Sequence, residues 1–185
     1  MSRRQVVTRA SQHASPARRR SDLVVLAIVA LLVAAALLTA CGSGPSDASG
    51  GSSGAAAPLT GTTLAGQSYD LAAHKGRPVV VNFFASWCPP CNGEAPDLAA
   101  FARAHPEVDF VGVDVNDKQG DAQAFVAKYG LPYDVVYDPN GAVGGQWNVN
   151  AIPATFFIDK DGVVQDSIVG AADRATFESK LKSAL

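Results

Sequence analysis

The sequence predicts an α/β domain over residues 58–185: a mixed central β-sheet flanked by helices, with a small β-hairpin added at its N-terminal side. Three observations predict it. Strand-like and helix-like segments alternate through the first half, which calls for parallel strands joined by helical crossovers. A pair of strands around a tight turn follows, which adds antiparallel partners. The strand ahead of the first long helix is apolar almost throughout, as a strand buried on both faces must be.

The elements follow in order. Leu59 to Leu71, with Gly61 and Gly66, reads as the small hairpin. Val79 to Ala85 is the buried strand. Pro89 to Ala104 is a helix, with Ala95, Leu98, Ala99 and Ala102 at helical spacing and both prolines confined to its first turn. His105-Pro106 stops it, and His105 reads as a helix-end residue. Val108 to Val115 is a second strand. Asp121 to Tyr129 is a short helix ended by Gly130, with Pro132 just beyond. Tyr133 to Tyr137 is extended and closes in the turn Asp138 to Gly141. Ala154 to Asp159 and Val163 to Val169 are strands joined by Lys160-Asp161-Gly162. Asp173 caps a last helix in which Phe177 and Leu181 share a face.

Composition narrows the function. The chain has 185 residues, 48 % of them apolar and 17 % charged, which excludes global disorder and low-complexity architecture. Residues 1–40 carry +5 and residues 41–185 carry −7. The body is mildly acidic and offers no basic patch for nucleic acid. Three cysteines, Cys41, Cys88 and Cys91, are too few for a disulfide-stapled scaffold or a four-cysteine zinc site.

The N-terminus reads as an address. Arg18, Arg19 and Arg20 precede an 18-residue run, Leu23 to Ala40, in which only Thr39 is not apolar. Leu38-Thr39-Ala40-Cys41 resembles the bacterial lipobox, whose cysteine is lipidated and becomes the new N-terminus, so residues 1–41 read as a lipoprotein signal. An uncleaved membrane anchor is the alternative, and both place the domain outside the cytoplasm. The sequence leaves Sec and twin-arginine export open. Residues 42–57 hold five Gly and five Ser and read as a flexible tether, with a span of roughly 20–25 Å.

The chemistry lies in Trp87-Cys88-Pro89-Pro90-Cys91, at the end of the buried strand and the start of the helix. A helix N-terminus presents unpaired N–H groups and partial positive charge, which favour a thiolate. That field lowers the pKa of Cys88, the outer thiol, while Cys91 sits one turn in and is more buried. Cys88 exchanges with a substrate sulfur and Cys91 resolves the mixed disulfide. A haem-attachment site needs His after the second cysteine, and Asn92 stands there. A zinc site needs a second ligand pair, which the chain lacks once Cys41 is in the signal.

Residues Val81 to Cys91, with Glu94 and Pro96 after them, resemble the thioredoxin superfamily, and within it the TlpA/ResA/DsbE-like extracytoplasmic thiol-disulfide oxidoreductases. Ile152-Pro153-Ala154-Thr155, ahead of Phe156 to Asp159, is similar to a second motif of that superfamily. The resemblance covers residues 58–185 and implies a thioredoxin-like fold, a Cys88–Cys91 disulfide, and a cis Pro153 facing the cysteines. The backbone of Ile152, flanked by Pro153 and Ala154, would pair with a bound substrate strand. A trans proline opening an edge strand is the plain alternative. Two positions depart from cytoplasmic thioredoxin. Asn82 stands where that family has a buried Asp. Glu94 stands where the membrane-attached relatives carry a Glu, and by resemblance it exchanges the proton of Cys91. A solvent-facing helix glutamate is the alternative.

Trp87 reads as a shield for the thiols that contacts substrate, and Trp147 as packing. Asp114, Asp117 and Asp121 read as a solvated acidic edge rather than a metal site. Together these features imply a membrane-tethered, extracytoplasmic enzyme that exchanges disulfides with protein thiols and uses no organic cofactor or metal. By resemblance its partners are apocytochrome c or secreted proteins, with electrons drawn from a membrane thiol reductase of the CcdA/DsbD type. Two rivals stand further off. A thiol peroxidase would carry Thr and Pro where Ala85 and Val81 stand. A copper chaperone would carry CxxxC and a partner histidine.

Overall fold

The computed structural model describes residues 54–185. The signal-like segment, Cys41 and the tether as far as residue 53 lie outside the described residues. The elements are β1 (Gly54–Ala55), β2 (Thr60–Thr62), β3 (Ser68–Asp70), a 3₁₀ turn (Leu71–His74), β4 (Val79–Phe84), α1 (Pro89–Ala104) and β5 (Asp109–Val115). Then come α2 (Gln119–Tyr129), β6 (Asp134–Asp138), α3 (Ala142–Gln146), β7 (Ala154–Ile158), β8 (Val163–Val169) and α4 (Arg174–Leu181).

Six strands form one mixed sheet in the order β1-β8-β7-β4-β5-β6, and β2 and β3 form the separate hairpin. β4, β5 and β6 are parallel, and β7, β8 and β1 run antiparallel to their neighbours. The two crossovers β4-α1-β5 and β5-α2-β6 step in the same direction. Since such crossovers are right-handed, both helices fall on one face. α4 joins them there. The helices are therefore shared unevenly, and the opposite face is covered by the hairpin and the short α3.

Burial follows the period-2 rule of a strand. Val79, Val81 and Phe83 point to the hairpin face, where they pack with Leu59, Tyr69 and Trp147. Val80 packs with Leu98 and Phe101 of α1 and with Phe177 and Leu181 of α4. Phe84 packs with Cys91, Ala95 and Phe125. The rings of Phe101 and Phe177 stack at 5.5 Å, which fixes α4 to α1.

Two expectations about extent change. The tether does not run to Ala57. Gly54 and Ala55 pair with Val164 and Val163 of β8, and Ala56 N–H donates to Gly162 O at 2.9 Å. The outer edge of β8 offers unpaired backbone groups, and small residues let the incoming chain close against them. Helix α3 also has no counterpart in the sequence reading. Its Ala-Val-Gly-Gly-Gln stretch has poor helix propensity. Buried Asp138 compensates, since its carboxyl accepts from Ala142 N at 2.8 Å and Gly144 N at 3.0 Å.

Candidate active site

Cys88 ends the loop after β4 and is the N-cap of α1, with Pro89 and Pro90 in the first turn. Proline suits this place because it has no N–H to leave unpaired. Cys88 and Cys91 are joined in a disulfide, with Cα atoms 5.3 Å apart. The Cys91 backbone N–H donates to Cys88 Sγ at 3.2 Å. A sulfur in the capping role meets an orphan helix donor, which favours negative charge on that sulfur when the pair opens.

Cys91 is the more buried of the two, at 1 % exposure against 3 % for Cys88, and neither sulfur stands open in the closed pair. The loop Ala85 to Trp87 and the Ile152-Pro153 segment pack around it. The Ile152–Pro153 bond is cis, and Cys88 Sγ lies 3.7 Å from Ile152 O. β7, an interior strand between β8 and β4, begins at Ala154 directly after, so the start of that strand carries Ile152 to the sulfur.

Glu94 does not face solvent. It is 3 % exposed, one turn into α1 beyond Cys91. Asn82 Nδ2 donates to Glu94 Oε1 at 3.0 Å and to Thr155 Oγ1 at 2.9 Å. Ala172 N–H donates to Glu94 Oε2 at 3.2 Å. Burial pushes the Glu94 carboxyl up to about 7, against the pull of the Asn82 and Ala172 hydrogen bonds. A carboxyl poised there exchanges protons near neutrality. The buried Tyr133 hydroxyl has no hydrogen-bond partner among the described residues, and burial and then Glu94 push its pKa up.

Trp87 stands open at 59 % exposure, with its indole N–H donating to Asn116 O at 3.1 Å. A groove of about 280 Å³ runs beside it, bounded by Trp87, Asn116, Gly145, Asn150 and Ile152. Trp147 is buried against Phe83 and Phe156, in keeping with a packing role.

The acidic edge needs correction. Asp114 is 0 % exposed and sits in β5, not on a solvated loop. Its place in the alternation from Val111 to Val115 was the available signal. Asp117 is half-buried and accepts the Ser86 N–H at 2.6 Å. Asn92 was also missed. Its amide donates to Ser86 O at 2.8 Å and Cys88 O at 2.9 Å, and Tyr129 Oη donates to Asn92 Oδ1 at 2.8 Å. The segment that presents Cys88 is thus held from two sides.

A capping cysteine closed onto a second one a turn away, with the start of β7 beside it, defines a thioredoxin-like domain built around a cysteine pair. Comparison with known proteins agrees. A family model described as Redoxin matches residues 48–185, and the chain belongs to that family. The chain is 41 % identical over 104 residues to the soluble secreted antigen MPT53 of Mycobacterium tuberculosis (strain ATCC 25618 / H37Rv), a match covering 56 % of this chain and 60 % of that protein. It thus spans about three fifths of that relative's length. It is 32 % identical over 123 residues to the thiol-disulfide oxidoreductase ResA of Bacillus anthracis, covering 65 % and 71 %. Among solved structures it is similar to a secreted Mycobacterium tuberculosis disulfide oxidoreductase homologous to E. coli DsbE. That match has a TM-score of 0.63 and 35 % identity, and covers 67 % of this chain and 94 % of that one.

Proposed function

We propose that this protein is a membrane-tethered, extracytoplasmic thiol-disulfide oxidoreductase that acts on protein thiols through Cys88 and Cys91. The observation that carries the reading is the buried disulfide at the start of α1, with Cys88 Sγ 3.7 Å from Ile152 O. An extended substrate laid along Ile152 brings its own sulfur to Cys88, and the groove beside Trp87 takes its flanking residues.

In the reducing direction the Cys88 thiolate attacks a substrate disulfide. A Cys88–substrate bond forms, and the second substrate sulfur leaves as thiolate and takes a proton. Cys91 then gives its proton to Glu94 and attacks Cys88 Sγ. The substrate thiolate leaves, and the Cys88–Cys91 bond closes with two electrons passed to substrate. The oxidising direction is the same path reversed. Nothing in it calls on a metal or an organic cofactor.

The lipobox at Cys41 and the tether before residue 54 support attachment at the outer face of the membrane. The secreted relatives support an extracytoplasmic place, where exported substrates such as apocytochrome c or secreted proteins meet the site. A membrane thiol reductase of the CcdA/DsbD type would return electrons to the pair.

Equilibration of the pair against thiol buffers tests the reading and sets its direction. A potential near about −270 mV makes the protein a reductase that needs a membrane electron source, and one near about −120 mV makes it a disulfide donor. A pair that exchanges with no protein disulfide or thiol in either state overturns the proposal.

A further inference from the structure

Cys88 is held at its backbone as well as at its sulfur. Its N–H donates to Ala85 O at 3.2 Å, and its carbonyl accepts from the Asn92 backbone N–H at 3.1 Å. The same carbonyl accepts a second bond, from Asn92 Nδ2 at 2.9 Å. The Asn92 amide also donates to Ser86 O at 2.8 Å. One side chain of α1 therefore ties the carbonyls on both sides of Trp87. The exchange steps make no use of it.

The residue type at position 92 is dictated by its partners. Ser86 O and Cys88 O can only accept, so the NH₂ end of the amide faces them and both its hydrogens are used. The oxygen end is left for the Tyr129 hydroxyl, which donates to Asn92 Oδ1 at 2.8 Å. That fixes which way the amide is turned. An ionised Asp would offer no donor here, and Leu none at all. Tyr129 is fixed in turn. Its ring meets Phe125 edge-on at 4.7 Å, and Phe125 stacks at 4.8 Å on Phe84, the last residue of β4. Asn92 and Tyr129 are half-buried, so water competes for these bonds less than it does at an open surface.

A carbonyl held at its oxygen fixes the ψ of its residue, and a held N–H fixes φ. With both held, Cys88 keeps the extended φ of −87° and ψ of 112° of an N-cap. That sets the direction of its Cβ and leaves Sγ on the Cys91 N–H at 3.2 Å. Once the disulfide opens, no covalent bond to Cys91 keeps the sulfur there. We infer that Asn92, oriented by Tyr129, is a positioning residue that keeps the Cys88 sulfur aligned with the Cys91 N–H in the reduced protein and so stabilises the reactive thiolate. Without the amide, the carbonyls of Ser86 and Cys88 lose a common anchor. The sulfur then strays from the helix N-terminus, and the thiolate loses part of a charge-assisted bond.

The test is alkylation of Cys88 by iodoacetamide in the reduced full chain, in a Cys41→Ser background, from pH 4 to 10. The rate follows the thiolate, so its midpoint reads the Cys88 titration. Asn92→Leu is expected to raise that midpoint by about one pH unit, the scale of one lost bond to a charged group. Tyr129→Phe is expected to raise it by less, since the amide stays but is no longer held from behind. Around the loop stand Asp117 from the β5–α2 loop, Glu94 in α1, and Tyr129 in α2 with the Lys128 ammonium 4.6 Å from its ring, while the start of β7 brings no titratable group. Asn92→Leu leaves all of them in place. The second readout is the equilibrium of the pair with a thiol buffer at pH 8, expected to shift about threefold or more toward the disulfide in Asn92→Leu. A merely structural amide would lower stability and leave both readouts alone. An unmoved midpoint or an unshifted equilibrium in Asn92→Leu overturns the proposal. Should that variant fail to fold, an unmoved midpoint in Tyr129→Phe overturns it. This role rests on the redox reading of Cys88, but alkylation uses no protein substrate, so its failure and a failure to exchange with proteins are told apart.

Discussion

The side-chain amide of Asn82 donates to Glu94 Oε1 at 3.0 Å, between the middle of β4 and the second turn of α1. A neutral donor thus fixes the buried acid one turn beyond Cys91. The pairing sets the ionisation of Glu94, because any charge at position 82 would act on it at close range in a medium of low dielectric.

Replacing Glu94 is expected to remove a titration from the enzyme. Its pKa is about 7, so the carboxylate that takes the Cys91 proton forms as pH rises through neutrality. The exchange rate of the parent protein should rise across that range. Glu94→Gln should flatten the rise and slow resolution about 100-fold, the scale of general-base catalysis. Stopped-flow kinetics from pH 5 to 9 check this, and an unchanged profile refutes the role of Glu94.

Asn82→Asp is expected to move the same inflection upward. Two carboxyls at hydrogen-bond distance in a buried site do not both ionise readily, so the pair should titrate in two separated steps. Stability should also fall at pH 8 relative to pH 5, where one proton still bridges them. Chemical denaturation at the two pH values measures this.

Stability of the parent protein should decline on the alkaline side. Glu94 and Asp114 titrate near 7 and 8 in the fold, against ordinary values of 4.5 and 3.8. Between those limits the folded chain binds more protons than the unfolded chain, so stability is fullest below the unfolded values and is lost as pH rises through the folded ones. Asp109 and Asp117 have lowered pKa values and act the other way, losing stability as pH falls through the acid range. The optimum should lie between about pH 4 and 7. Thermal unfolding against pH tests it, and Glu94→Gln or Asp114→Asn should each flatten the alkaline fall.

Phe177→Ala should loosen α4. The ring is 0 % exposed and stacks on Phe101, so truncation leaves a cavity between two helices. The expected cost is about 3–5 kcal/mol, read from denaturant midpoints. The Ala172 N–H that holds Glu94 Oε2 comes from the loop leading into that helix, so the Glu94 inflection should shift as well.

Much of this was legible in the residues because the signals were local. Val79 to Phe84 is apolar enough to announce a doubly buried strand, and the Pro-Pro pair can stand only at a helix start. Cys88 and Cys91 follow from that junction. What escaped was set by tertiary contacts. Helix α3 exists because Asp138 caps a Gly-Gly stretch that propensity alone would leave as a loop. β1 exists because the edge of β8 needed a partner. Asp114 read as part of a solvated run because its neighbours Asn116 and Asp117 suggest a loop, although the alternation through Val113 and Val115 continues past it. Glu94 was identified through a resemblance, but its burial depends on Asn82, Thr155 and Ala172, residues that only the fold brings together.

Trapping of the mixed disulfide tests the central claim most directly. A Cys91→Ser chain in a Cys41→Ser background, reduced and then mixed with a disulfide-bonded protein, cannot resolve its intermediate. The account expects a covalent adduct at Cys88, identified by mass spectrometry after digestion, and none from the matching Cys88→Ser chain. An adduct formed at Cys91 instead, or full exchange activity in the chain lacking Cys88, would contradict it.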